Sequence, residues 1–250
     1  MPMISLRTSN KRLKLMDSGN PQDKIRNYLF TSGLDALADH LPVIEKAIHD
    51  FIAQLSTPMD VSNDALYRYE VPLISEDGSC SLIDEMDPTP YDIARILGGQ
   101  SETSTRKLKL LNIMVTRATM VTGADWVGIY QQRMNPVGNP VLVKLAYRGR
   151  PSRAEFPLNA EFAKGSTNSC VGLSGQAKLI DDVAAYTAEG GGFYVCDDKV
   201  QAEICLPIFN PADGNVIGII DAEASPKAFF NPERQSVIVA MALVVAALLP

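Results

Sequence analysis

Ala202-Glu203-Ile204-Cys205-Leu206-Pro207-Ile208-Phe209, then Asn210-Pro211-Ala212-Asp213-Gly214-Asn215, then Val216-Ile217-Gly218-Ile219-Ile220-Asp221-Ala222 decide the reading of this chain. Two apolar, β-branched runs flank a connection of turn-forming residues, which predicts an antiparallel hairpin. A second hairpin precedes it. Trp126-Val127-Gly128-Ile129-Tyr130 reads as a strand, residues 135–140 as a turn, and residues 141–147 as the return strand, with Lys144 suggesting partial burial. Helices bracket the two hairpins. Residues 103–121 carry apolar positions at helical spacing and end at a Gly123 suited to a C-cap. After the second hairpin, Asn231 is an N-cap, Pro232 a first helical residue, and the run is apolar to Leu249. Helix, hairpin, long loop region (148–200), hairpin and helix predict an α+β domain, an antiparallel sheet with flanking helices.

Upstream, residues 1–22 read as a tail. Residues 23–56 read as helical, with Leu29, Leu37, Leu41, Ile44, Ile48, Phe51 and Leu55 near three- and four-residue spacing and Pro42 marking a break or a second start. Residues 57–100 are mixed, with a strand expected over 67–74. Gly98-Gly99-Gln100-Ser101 is the linker candidate. The expected organisation is a mainly helical N-terminal extension over 1–100, whose role the residues do not state, and a domain over 101–250. The last helix is apolar on several faces and needs cover. That cover comes from the N-terminal helices or from a second copy, and the expectation of a homodimer rests on it.

Composition narrows the functions. The chain has 250 residues and a formal net charge of −6, which disfavours nucleic-acid binding, because phosphate neutralisation needs concentrated Lys and Arg. The short basic run Lys11-Arg12-Leu13-Lys14 reads as solvated tail. Residues 237–249, the longest apolar run, fall short of the roughly 20 residues a membrane helix needs, and no signal peptide is visible. The expectation is a cytoplasmic protein that contacts neither membrane nor nucleic acid. Four cysteines, Cys80, Cys170, Cys196 and Cys205, include no CxxC pair, so no metal is expected. In a reducing compartment they are free or redox-active rather than structural bridges. Neither His40 nor His49 lies in the second domain, which disfavours Ser-His-Asp hydrolysis.

The candidate chemistry centres on Phe193-Tyr194-Val195-Cys196-Asp197-Asp198. Seven residues after Cys196 comes Glu203, and after the hairpin Asp221-Ala222-Glu223. A thiol and carboxylates near strand ends suggest a small polar site able to bind a charged molecule. Asp221 and Glu223 share one strand face, as do Trp126 and Tyr130. On the residues alone, Cys196 is either an inert thiol or a redox cysteine, and the acids either solvated strand ends or ligands. Cys205, in an apolar strand, reads as core. Cys80 sits in a polar loop and receives no role. Gly172-Leu173-Ser174-Gly175 reads as a turn rather than a phosphate loop.

Residues 103–250 resemble a GAF domain, and within that fold the free methionine-(R)-sulfoxide reductases. The similar stretches are Asp125 to Tyr130, Gly172 to Ala177, Asp181-Asp182-Val183, Tyr194 to Asp197, Ala202 to Pro207 and Ile217 to Glu223. The seven-residue offset from Cys196 to Glu203 is shared. The resemblance implies a substrate-binding set of Trp126, Tyr130, Glu203, Asp221 and Glu223, with Cys196 as the attacking cysteine. It implies thiol-dependent reduction of free methionine-(R)-sulfoxide, no cofactor, and recycling by thioredoxin. The alternative is a non-catalytic GAF module that binds a small ligand and regulates through its N-terminal helices. The chain departs from the family's cysteine pattern: Ser174 holds the position of the family's turn cysteine, and no cysteine lies between Cys80 and Cys170. Cys170, four residues before Ser174, is then the nearby candidate for the resolving thiol.

Overall fold

The structure is a computed structural model and describes residues 20–57, 61–75, 78–80 and 85–250. The tail expected over 1–22 lies, up to residue 19, outside them. In chain order the elements are α1 (Pro21–Ser32), a 3-10 turn (Asp35–His40), α2 (Leu41–Gln54), α3 (Asn63–Tyr67), β1 (Arg68–Tyr69), β2 (Tyr91–Asp92), α4 (Ala94–Leu97) and α5 (Glu102–Thr122). There follow β3 (Trp126–Met134), β4 (Pro140–Arg148), β5 (Glu155–Pro157), a 3-10 turn (Phe162–Lys164), α6 (Thr167–Ser174), β6 (Lys178–Ile180), α7 (Val183–Ala188), β7 (Ala202–Phe209), β8 (Val216–Ala224) and α8 (Pro232–Val245).

Both predicted hairpins form, and they join. The six-stranded sheet has the order β5-β4-β3-β8-β7-β6, with every neighbouring pair antiparallel. The local signals act as read. Ser101 caps α5 by accepting from the Ser104 amide, and Gly123 ends it in the left-handed conformation. Asn231 accepts from the Arg234 amide at the head of α8, with Pro232 in the first turn. Pro42 lies in the first turn of α2, so it starts a helix rather than kinking one.

The region 148–200 is more ordered than its composition suggests. The supposed turn at 172–175 is the end of α6, which Ser166 caps by accepting from the Ser169 amide and Gly175 closes in the left-handed conformation. The expected strand over 67–74 is reduced to β1 and two isolated bridges, Pro72 to Met86 and Ile74 to Cys80.

One hydrophobic core joins the two halves of the chain. Ile25, Leu29, Leu37, Leu41, Ile44 and Phe51 from the N-terminal helices cluster with Leu108 and Leu111 of α5, Val127 and Ile129 of β3, Ile204 and Leu206 of β7, and Ile238 to Ala242 of α8. Buried aliphatic and aromatic side chains of this size contribute about 1.5–3 kcal/mol each. α8 packs on α2, α5 and β7. The cover that α8 needs therefore comes from within the chain. Among the described residues no helix is long and apolar enough to cross a membrane.

Candidate functional site

The face of the sheet turned away from that core carries the site. Register alone assembles it. Trp126 of β3 stands opposite Glu223 of β8, and Glu223 opposite Glu203 of β7. One step along, Gly128 faces Asp221, and Asp221 faces Cys205. A further step pairs Tyr130 with Ile219 on one side and with Lys144 of β4 on the other. Side chains alternate along each strand, so the even positions of β3 and the odd positions of β7 and β8 named here belong to one side and their neighbours to the core. Trp126, Tyr130, Leu142, Phe156, Cys205 and Ile219 form a second, separate buried cluster on this side.

The aromatic wall is continuous. Trp126 lies 6.2 Å from Tyr130 and stacks at 6.2 Å on Tyr147, and Tyr130 meets Phe156 edge-on at 5.5 Å, between ring centroids. The indole Nε1 donates to the Arg150 carbonyl at 3.0 Å. The ring occupies the space over Gly128, where a Cβ would stand 2.0 Å from the indole Cη2. Gly128→Ala is therefore expected to expel the ring and destabilise the protein by about 1–3 kcal/mol, as overpacking does. Trp126 is the chain's one tryptophan, so near-ultraviolet circular dichroism and fluorescence report the change. Unchanged spectra would contradict this placement of the ring.

Helix α6 brings polar groups onto the acids. Thr167 Oγ1 donates to Glu203 Oε1 at 2.6 Å, and Asn168 Nδ2 donates to Asp221 Oδ2 at 3.2 Å. The remaining oxygens, Glu203 Oε2 and Asp221 Oδ1, are buried without a partner. Glu203 is 1 % and Asp221 3 % exposed. Burial, then the charge of Asp221 and of Glu223, pushes the Glu203 carboxyl well above its ordinary range. Burial also raises Asp221, to about 6, against the neighbouring Glu203 carboxyl and the Asn168 amide, which lower it. Glu223, only half-buried, is raised by burial and by Asp221 and Asp197, with Lys144 opposing.

Lys144 is fully buried. Its Nζ donates to the Ser152 carbonyl at 2.6 Å and to Ser152 Oγ at 2.8 Å, and it lies 4.1 Å from the Tyr147 ring centroid and 5.1 Å from that of Tyr69. Burial draws its pKa down and Glu223 draws it up.

The cysteines divide. Cys196 lines the same pocket as Trp126, Tyr130, Glu203, Asp221 and Glu223. It is joined by a disulfide to Cys80, with Cα atoms 5.3 Å apart, inside the range disulfides span. Cys170 is free and half-buried in α6, so the thiol that structure gives to Cys196 is Cys80 and not the expected Cys170. Of the four cysteines, two are bridged. Cys205 is buried as expected, and burial raises its thiol well above its usual range. Glu203, Cys205 and Asp221 each place one ligand atom within 4.8 Å of the others, a spacing a cation could use. Burial raises all three groups, the Cys205 thiol and both carboxyls alike. Asp197, beside Cys196, is paired with Arg150 at 3.3 Å.

Every substrate-binding residue expected from the sequence thus lines one pocket with Cys196. Thr167, Asn168, Ser152 and Tyr194 also line it and were not foreseen there, nor were Lys144 under the aromatic wall and Cys80 bonded to Cys196. A charge alone in an apolar strand was the signal for Lys144, and Ser166-Thr167-Asn168 before an apolar run was the signal for the α6 cap.

The GAF domain family matches the sequence over residues 108–249, more than half of the chain, and the chain belongs to that family. Among solved structures, the type II free methionine-R-sulfoxide reductase of Thermoplasma acidophilum is 21 % identical with a TM-score of 0.50, over 59 % of this chain and 94 % of its own. The free methionine-R-sulfoxide reductase of Neisseria meningitidis, solved with its substrate, is 19 % identical with a TM-score of 0.46, over 62 % of this chain and 81 % of its own. The GAF domain of an Acinetobacter phosphoenolpyruvate-protein phosphotransferase is 12 % identical with a TM-score of 0.43, over 61 % of this chain and 84 % of its own. No curated protein matches the chain. The family match and the Thermoplasma acidophilum likeness establish the fold and nothing finer.

Proposed function

We propose that this protein reduces free methionine-(R)-sulfoxide to methionine by thiol chemistry at Cys196. The observation that carries the reading is the pair of buried, unpartnered oxygens, Glu203 Oε2 and Asp221 Oδ1, in a pocket shared by the aromatic wall and Cys196. A primary ammonium supplies the donors that these oxygens lack, in charge-assisted hydrogen bonds. Trp126 and Tyr130 suit the methylthio end of the same molecule. A free amino acid has both features, and a peptide-bound residue lacks the ammonium.

In the reduced protein the Cys196 thiol attacks the sulfoxide sulfur. The oxygen passes to the cysteine, methionine leaves, and Cys196 becomes a sulfenic acid. A second thiol condenses with it, releasing water, and an external dithiol such as thioredoxin reduces the resulting disulfide. Ammonium binding favours the ionised acids, so protons are released on binding. Affinity is expected to rise with pH through about 6, where Asp221 ionises.

The same pocket would serve a ligand-sensing module, and the core shared by the N-terminal helices and the sheet favours that second reading. Turnover separates the two. With purified reduced protein, thioredoxin and its reductase, free methionine-(R)-sulfoxide is expected to drive NADPH consumption, while the S epimer and peptide-bound methionine sulfoxide do not. Absence of consumption with every substrate would leave the sensor reading.

A further inference from the structure

We propose that Cys80 is the second redox thiol of this site and that the arm carrying it, described over residues 68–75, 78–80 and 85–92, is a lid locked shut by the Cys80–Cys196 bond. The proposal rests on the reading of Cys196 as a redox cysteine. Over its described residues the arm is an antiparallel ribbon. Arg68 pairs with Asp92 and Tyr69 with Tyr91, the bridges Pro72 to Met86 and Ile74 to Cys80 continue it, and amides of Leu73 and Asp87 donate across it to Glu85 and Val71. A two-stranded ribbon is marginal alone, so its position depends on what it docks against.

It docks on the rim of the pocket. At its base, Tyr69 packs edge-on against Tyr147 at 5.6 Å. Near Cys80, the Gly78 carbonyl accepts from Arg153 Nη1 at 2.8 Å and from the Tyr194 hydroxyl. Tyr194 and Cys196 themselves line the pocket. The covalent bond is thus formed where the lid meets the rim.

The size of the cavity shows what the closed state does. With the bond formed, the pocket is a cavity of about 20 Å³, room for about one water. Methionine sulfoxide does not fit. Ligand entry therefore requires the lining to move, and two residues of that lining, Tyr194 and Cys196, are held by the arm through the Gly78 carbonyl and the disulfide. Reduction yields both thiols and frees the lid. The substrate enters, Cys196 takes the sulfoxide oxygen as a sulfenic acid, and methionine forms. The Cys80 thiol then attacks the sulfenic sulfur and the oxygen leaves as water. The Cys80–Cys196 bond re-forms over an emptied site, and an external dithiol reduces it, itself becoming a disulfide. The lid supplies the resolving thiol that Ser174 and the free Cys170 do not.

The test uses the full chain. Reduced wild type, mixed with free methionine-(R)-sulfoxide and no reductant, is expected to lose two thiols per methionine formed, with peptide mapping finding the Cys80–Cys196 bond. Cys80→Ser is expected to form the first methionine normally, leave Cys196 trappable by dimedone, and slow steady turnover with the dithiol by ~10-fold or more. A Cys170–Cys196 bond, or normal steady turnover in Cys80→Ser, would overturn the proposal. If no methionine forms in the wild type, the reductase reading fails and hydrogen peroxide replaces the sulfoxide as oxidant, since it also converts a thiol to a sulfenic acid. Hydrogen exchange at the amides of Leu73, Ser75 and Asp87 is then expected to be ~10-fold or more faster in the reduced than in the oxidised wild type. Cys80→Ser is expected to match the reduced protein under both conditions. Equal exchange in reduced and oxidised wild type would overturn the lid. The reduced wild type is the folded reference if Cys80→Ser folds poorly.

Discussion

Cys196→Ser is expected to lower methionine production from free methionine sulfoxide by about 10³-fold or more while leaving the affinity for free methionine within about threefold. A serine hydroxyl is neither appreciably ionised nor easily oxidised at neutral pH, whereas a thiol is both. The binding set of Trp126, Tyr130, Glu203, Asp221 and Glu223 is untouched, so binding and chemistry separate. Both proteins must be compared fully reduced, because the wild type otherwise carries the Cys80–Cys196 tether and the variant cannot. The check is single-turnover methionine yield beside a titration of Trp126 fluorescence with methionine. Undiminished yield in the variant would move the chemistry to another cysteine.

The second large effect concerns the acids, and it has opposite signs for function and stability. Asp221→Asn is expected to weaken methionine binding by about 100-fold, because one of the two ammonium partners loses its charge. The same change is expected to stabilise the ligand-free protein at pH 8 by about 1–3 kcal/mol. The folded-state pKa of Asp221 is raised from 3.8 to about 6, so the folded state holds a proton that the unfolded chain has released. Wild-type stability therefore falls as pH rises between those values and stays low above them. The amide cannot ionise and escapes that loss, and Glu203→Gln should behave in the same sense, since its carboxyl is also raised by burial. Thermal melts at pH 4 and pH 8 check the sign. A variant less stable than wild type at pH 8, or a wild type that gains stability from pH 4 to pH 8, would refute the view of these acids as uncompensated until a cation arrives.

Much of this was legible in the sequence, for local reasons. The strands around Trp126 and Glu203 carry β-branched, apolar residues between strong turn signals, and period two then fixes which residues share a face. That is why Trp126, Tyr130, Asp221 and Glu223 come together on one side of the sheet. The caps at Ser101, Gly123 and Asn231 are likewise one-residue signals with a direct physical cause. α6 escaped because Thr167-Asn168-Ser169 favours caps and turns over helix interiors, and only its packing over Glu203 and Asp221 makes it a helix. The partner of α8 was one of two alternatives until α2 was seen against it. Cys80 was invisible for a different reason. Its partner lies 116 residues away, and no spacing rule connects two thiols so far apart in sequence. Lys144 betrayed partial burial, but the aromatic rings around it come from Tyr69 and Tyr147, which only the tertiary fold brings together.

The most direct test of the central claim is a crystal structure of the reduced protein with free methionine. The account predicts an opened pocket with the ammonium within hydrogen-bond distance of Glu203 Oε2 and Asp221 Oδ1. It also predicts the thioether against Trp126 and the Cys196 sulfur facing it. An empty pocket at saturating methionine, or an ammonium bound away from both carboxylates, would contradict it.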